Sequence, residues 1–397
     1  MNFEDAPDAF RAQIRDWLQG NCPPEMRIPP LGEDDICWGG RRWVFSCDAQ
    51  RLWMERAAAV GFTVPGWPRA YGGAGLSPEQ LRIFDEEMMR IDARSPLESF
   101  GIWMLGPALL KFGTEAQKRL HLPRIARGEI RWCQGYSEPG AGSDLASLST
   151  RAEDRGEHFV VNGQKIWTSY ADQADWIFCL ARSDSAAPKH RGISFLMFDM
   201  ATSGVTTRPI KLISGKSPFC ETFFDDVAVP KDNLVGPLHG GWTVAKYLLT
   251  QEREMISGRA RGLHDGRALR SIVQELTGAE DGRIADPALR ARVAHAEIDA
   301  MALEATIARF VDEAARGQEI GDRSSVLKYC NAEIAKRRQG LIVEAAGMDG
   351  LRWDFTRRDG GPVAQDWLRS RANSIEGGTA EIMLGIVAKR LLDLPGS

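Results

Sequence analysis

Residues 158–169 read HFVVNGQKIWTS, two short runs rich in β-formers that meet at Asn162–Gly163. Asn-Gly suits the positive φ angles of a type I′ turn, so the stretch predicts a β-hairpin. Period-two segments follow it: ADWIFCLARSD (174–184), GISFLMFDM (192–200) and CETFFDDVAVP (220–230), with turns expected at Ser203–Gly204 and Pro230–Lys231. On both sides the period becomes helical. Upstream, SPEQLRIFDEEMMRI (77–91) offers Ser77 as N-cap, Pro78 at the first helical position and Gln80 to complete a capping box, and Thr114 with Gln117 repeats the pattern. Downstream of NLVGPLHGG (233–241) the helical period returns and holds, with Asp286–Pro287 opening a long helix and Thr379 opening the last. The order is therefore α, then β, then α.

The chain has 397 residues, enough for two or three domains. Its 50 basic and 54 acidic side chains leave a net charge of -4 and no basic stripe to track a phosphate backbone, so nucleic acid is not an expected partner. Seven cysteines (22, 37, 47, 133, 179, 220, 330) are scattered, form no Cys-x-x-Cys pair, and fit reduced thiols in a cytoplasmic protein. The start, MNFEDAPDAFRAQIRDWLQG, is acidic and amphipathic, and no apolar run reaches the roughly 18 residues of a membrane span. Six histidines lie far apart, none at His-x-x-x-His spacing, so no metal site is expected.

Four motifs carry chemistry. SEPGAGSDLA (137–146) has Gly140 and Gly142, which let backbone approach a ligand, and the hydroxyl of Ser143; strand-like sequence follows it, which argues against a dinucleotide fingerprint and leaves a plain glycine turn as the alternative. KIWTS (165–169) sets Trp167 before Thr168 and Ser169, a slab and donors for a flat heteroaromatic ligand, or else a core tryptophan. In VAKYLLTQEREMISGRA (244–260), Val244, Leu248, Glu252 and Met255 share one helical stripe; a carboxylate there is a desolvated general base or half of a buried ion pair. In SIEGGTAEI (374–382), Gly377 and Gly378 precede a helix start, offering bare amides to an oxyanion or serving only a positive-φ loop.

Six strings in fixed order, YGGAGLS (71–77), ALLKFGTEAQKRLHLPRIARGE (108–129), WCQGYSEPGAGSDLA (132–146), NGQKIWTS (162–169), FFDDVAVPKDNLVG (223–236) and SIEGGTAEI, resemble the acyl-CoA dehydrogenase family over essentially the whole chain. The resemblance implies an α+β multidomain protein: an N-terminal all-α domain (1–127), a central β-barrel-like domain (128–236) and a C-terminal four-helix-bundle-like domain (237–397). It implies FAD as cofactor, an acyl-CoA thioester as substrate, α,β-dehydrogenation as reaction and an electron-transfer flavoprotein as electron acceptor. By position, Gln134, Tyr136, Ser137, Gly142 and Ser143 fall in the flavin loop, and Trp167, Thr168 and Ser169 over the ring. Thr379 and Glu381 fall near the FAD diphosphate and adenine, and the Gly377 backbone amide beside the thioester oxygen. Ser143, Gln251, Arg253 and Gly378 fall where substrate is held.

Many family members carry the base directly before the last Gly-Thr, where this chain has Gly377; a minority carry it before an arginine on the first helix of the C-terminal bundle. Gln251-Glu252-Arg253 resembles the second arrangement, so Glu252 is the expected base and Glu376 the reserve. Two departures stand out: no Arg-x-x-x-Phe-Gly lies between 262 and 285, and the usual Gln-x-x-Gly-Gly is EAAGM, with Glu344 and Met348 altered around Gly347. An acid beside a diphosphate is unfavourable. The oligomer expected is a homodimer or homotetramer, or a mixed tetramer in which this chain is a non-catalytic partner. Family relatives that act as flavin oxidases, monooxygenases or enoyl-CoA reductases are the remaining alternatives.

Overall fold

The computed structural model describes residues 3–395 except 5, 31, 33, 34, 259–266, 317, 319, 359 and 360; of 250–258, 314 and 315 only the backbone is described. Chain packing divides it into two compact units, one of residues 1–210 and 218–248, the other of 211–217 and 249–397.

The first unit opens with five helices: α1 (Pro7–Asn21), α2 (Asp48–Val60), α3 (Pro78–Arg90), α4 (Gly106–Phe112) and α5 (Glu115–Ala126). Both capping boxes form as the sequence predicts, Ser77 with Gln80 on α3 and Thr114 with Gln117 on α5. Phe10, Ile14 and Leu18 of α1 pack on Trp53 and Ala57 of α2 and on Ile83, Phe84 and Met88 of α3. Burying each such side chain stabilises the fold by about 1.5–3 kcal/mol.

Seven strands follow: β1 (Trp132–Gly135), β2 (Arg151–Asp154), β3 (His158–Ser169), β4 (Trp176–Arg182), β5 (Ile193–Asp199), β6 (Val205–Ile210) and β7 (Phe219–Pro230). They form one sheet in the order β1-β4-β2-β3-β7-β6, with β5 also on β4. The sheet curls, because Ile166 N–H of β3 donates to Ser137 just past β1 at 2.9 Å. Turns occur at Gly204 and after Pro230 as expected.

The hairpin expected at Asn162–Gly163 is a correction. Residues 158–169 are one continuous strand, paired along its length with β7, and its register slips between Val161 and Gly163. Two contacts decide this. The Asn162 amide bonds Asp226 of β7 twice, each at 2.9 Å, and a side chain at 163 would put its Cβ 2.6 Å from Thr150 Oγ1. Asn-Gly here makes a bulge, in which the missing side chain admits a neighbouring strand. The turn before β3 lies instead at Gly156, with φ +85°.

Helix α6 (Gly241–Gly258) begins in the first unit, where Phe112 and Lys111 of α4 pack on Tyr247. It continues into the second, which holds α7 (Leu269–Thr277), a small hairpin of β8 (Ala279–Glu280) and β9 (Arg283–Ile284), α8 (Pro287–Ala315), α9 (Ser324–Ala346), α10 (Val363–Ser370) and α11 (Ala380–Ile386). Asp286 Oδ1 accepts from the amides of Ala288 and Leu289, so it caps α8 as predicted. Ile272 and Val273 of α7, Val293 of α8 and Leu341 and Ile342 of α9 share the core.

One buried group makes the first unit acid-sensitive. His121 packs edge-on against Trp132 and Trp176, with ring centroids 5.4 and 5.1 Å away, and neither ring nitrogen has a hydrogen-bond partner. Burial, assisted by Arg124, pulls its pKa down to about 4. The unfolded chain, with an ordinary value near 6.5, then binds more protons between about pH 6.5 and 4, so stability falls as pH drops through that window. The loss amounts to about 3 kcal/mol, from about 1.4 kcal/mol per pH unit. Denaturant unfolding of the wild type should show this slope and His121→Phe should flatten it. The substitution Gly163→Ala should cost about 1–3 kcal/mol through its clash with Thr150, read as a lower denaturation midpoint.

Candidate active site

In the first unit the site grows from one buried ion pair. Lys165, on the inner face of β3 and 0 % exposed, donates to Glu138 Oε1 at 2.8 Å and to the carbonyl of Tyr136 at 3.0 Å. Glu138, 6 % exposed, also accepts from the Ser149 amide and hydroxyl at 2.6 and 2.8 Å and from the Thr150 amide at 2.9 Å. Burial alone would raise this carboxyl, but Lys165 and these hydrogen bonds outweigh it and hold the pKa at about 2. Glu138 and Ala141 exchange backbone hydrogen bonds, which closes a tight turn. Loop 137–143 is thus fixed from below, while a side chain at Gly140 or Gly142 would meet only open space.

Just past Lys165 the register of β3 slips again, before Thr168. Trp167 takes a φ of +61°, an outlier for a bulky residue that costs on the order of 1–3 kcal/mol. It is 52 % exposed and touches Phe219 edge-on, so the bulge turns the indole outward. The core-tryptophan alternative does not hold. Gln134, Ser137 and Ser169 are half-buried and Ser143 exposed, and their side chains bond to nothing among the described residues. Tyr136 and Thr168 are buried beneath, the Thr168 hydroxyl without a partner. An outward indole, with free hydroxyl and amide groups on its own strand and on the loop that strand bonds, has the chemistry to take a flat heteroaromatic ring.

In the second unit three basic side chains grip residues 373–378. Lys328 of α9 donates to the carbonyls of Asn373 and Gly378 at 3.0 and 2.6 Å, and Lys336 to the Ser374 hydroxyl at 2.6 Å. Arg369 of α10 holds Glu376 with two hydrogen bonds, at 3.3 and 2.9 Å. Gly377 and Gly378 follow with φ of +65° and +105°, a sequence of positive angles that favours two glycines. Thr379 then caps α11 by accepting from the Ile382 amide at 3.3 Å, with Glu381 exposed in its first turn. Glu344 lies exposed near the end of α9, paired with Arg292 of α8 at 2.6 Å, and Gly347 follows with φ +60°. An open groove of about 550 Å³ beside them is lined by Arg292, His295, Arg337 and Glu344.

Gln251, Glu252 and Arg253 lie on the backbone of α6, and their side chains are outside the described residues. Leu248 and Val244, one and two turns before position 252 along the helix, are buried. Glu138, Lys165, Arg369 and Lys328 were not singled out by sequence; a lysine on the inward alternation of β3 was the one local signal.

The chain matches the family models for the acyl-CoA dehydrogenase N-terminal domain at residues 5–129, middle domain at 133–227 and C-terminal domain at 239–392. The chain belongs to the acyl-CoA dehydrogenase family. These are flavoprotein oxidoreductases acting on CH–CH bonds, built from an N-terminal helical, a middle curled-sheet and a C-terminal helical domain. Among relatives, it is 39% identical over 396 residues to acyl-CoA dehydrogenase IpdE1 of Mycobacterium tuberculosis, covering 98% of both chains. Among solved structures, it is similar to the Tcur3481–Tcur3483 steroid acyl-CoA dehydrogenase (28% identical, TM-score 0.78, all of both chains). It is also similar to the ChsE4–ChsE5 complex of Mycobacterium tuberculosis (27%, 0.76, all of both chains). Among the described residues no helix is long and apolar enough to cross a membrane, and no His, Cys, Asp and Glu cluster suits a metal.

The dehydrogenase's buried pair should be costly to break. Lys165→Met leaves Glu138 buried without its cation and should destabilise the first unit by about 3–5 kcal/mol, with much of that restored in Lys165→Met/Glu138→Gln. Chemical denaturation of both variants reads the difference.

Proposed function

We propose that this chain dehydrogenates an acyl-CoA thioester between its α and β carbons, with Glu252 as the base. The observation that carries the reading is Trp167, held outward at positive φ amid unbonded Gln134, Ser137 and Ser169. Those residues would hold the flavin ring of FAD; in the second unit, Thr379, and Gly347 near the Arg292–Glu344 pair, are proposed separately as contacts for an FAD diphosphate. When bound, FAD supplies the acceptor for the β-hydride and the route for electrons to an electron-transfer flavoprotein.

The chain's own residues do the rest. Val244 and Leu248 are buried on α6, and by sequence Glu252 falls on their stripe, where a desolvated carboxylate would be the more basic. Glu376 is a poorer candidate, since both of its carboxylate oxygens are already engaged by hydrogen bonds from Arg369. As Glu252 takes the α-proton, negative charge develops on the thioester oxygen. The Gly377 amide, in a turn already fixed, supplies a donor that needs no reorganisation. Ser143, Gln251, Arg253 and Gly378 are proposed to touch the CoA thioester.

A two-chain assembly is the second reading, favoured by the two-component names of the Tcur3481–Tcur3483 enzyme and the ChsE4–ChsE5 complex and by Met348, Leu351 and Trp353, apolar yet exposed next to Gly347. The first of those names also points to a steroid-derived acyl group. Anaerobic titration of the FAD-loaded protein with short, branched, long and steroid-like acyl-CoAs tests both readings. Bleaching of the flavin band by one class is expected, and Glu252→Gln should slow it by about 10²–10⁴-fold while Glu376→Gln stays within about tenfold. Unimpaired bleaching in both variants would overturn the assignment of the base. A chain that takes up FAD only with a second subunit would establish the mixed assembly.

A further inference from the structure

We infer that Lys328 is a positioning residue for the reaction, holding the turn at 374–377 rigid from beneath. This rests on the dehydrogenase reading above, because the turn carries the Gly377 amide proposed to face the thioester oxygen.

Lys328 lies on α9 and is 2 % exposed. A buried ammonium is costly unless its protons are used, and two of them go to main-chain carbonyls that bracket the turn: Asn373 on one side at 3.0 Å and Gly378 on the other at 2.6 Å. Between those anchors the chain turns by two amide bonds to the Ala372 carbonyl, from Ile375 at 2.8 Å and Glu376 at 3.0 Å, and then passes through the positive φ angles of Gly377 and Gly378. Two glycines in succession are the least restrained residues available, and left alone they would let the amide of Gly377 swing. Lys328 removes that freedom at both ends at once. Arg369 on Glu376 and Lys336 on Ser374 hold side chains of the same turn, whereas Lys328 bonds its main chain. An oxyanion donor contributes through prior alignment, and a displacement of about 1 Å can lower a rate by about 10².

The test uses the full chain loaded with FAD. In Lys328→Met, hydrogen exchange of the peptide spanning 373–379 should quicken at least about tenfold with other peptides unchanged, and thioester-dependent flavin reduction should slow by about 10² with the thioester Kd within about threefold. A CoA thioester with sulfur at the β position can lose its α-proton but cannot give up a hydride; its long-wavelength band with the flavin should weaken in the variant at equal occupancy. A merely structural lysine would move stability but neither the rate-against-Kd split nor this band. If Lys328→Met does not fold, Lys328→Arg serves: its planar head cannot reach both carbonyls from the same backbone position, so protection and rate should again fall. Unchanged exchange in a folded variant, or faster exchange with reduction and band intact, overturns the inference. The two failures are separable, since exchange is read without substrate: a wild type reduced by no thioester would sink the dehydrogenase reading alone.

Discussion

Everything on the sheet side of the site depends on one buried ion pair. Lys165 and Glu138 are 27 residues apart, and their contact ties the middle of β3 to the loop after β1. A pair this deep is weak evidence of added stability, because desolvation offsets most of the attraction. Its effect is geometric. With Lys165 also on the Tyr136 carbonyl and Glu138 on the amides of Ser149 and Thr150, the loop has little freedom left. The strain at Trp167 follows from that, since a tryptophan stays at φ +61° only when its flanks are over-determined.

The second unit solves the same problem with opposite materials. Its critical turn is two glycines, with no side chains to lock, so the restraint comes from outside through Lys328, Lys336 and Arg369. In both units a buried lysine bonds main-chain carbonyls next to residues proposed to face a ligand. Backbone amides make good oxyanion donors only when they cannot relax, and a charged donor beneath them achieves this without occupying the ligand's space.

The elements written in local chemistry were legible in the sequence. Ser77 and Thr114 each needed only a glutamine three residues on, and Asp286 only the proline after it. Asn162–Gly163 misled because a dipeptide does not reveal what packs on it; Thr150 and Asp226 turned it from a hairpin into a bulge. Meanwhile Asp281–Gly282, an equally good hairpin signal, does join β8 to β9, with φ of +49° and +70°. The outward indole of Trp167 was one of two readings the sequence left open, and the grips of Lys328 and Lys336 on 373–378 were not readable, since they come from 38 to 50 residues away.

The charge pattern around 376 bears on why a base would reside on a helix. A carboxylate in the glycine turn is engaged by Arg369 through two hydrogen bonds, which hold its oxygens on the guanidinium. Moving that arginine would free the carboxylate but loosen the turn that must present an amide. In the reading proposed above, a base on α6 avoids the conflict, because it would draw its basicity from the apolar row of Val244 and Leu248 rather than from the turn. On that proposal glycine at 377 would lose nothing as an amide donor, and the turn would serve oxyanion stabilisation without proton transfer.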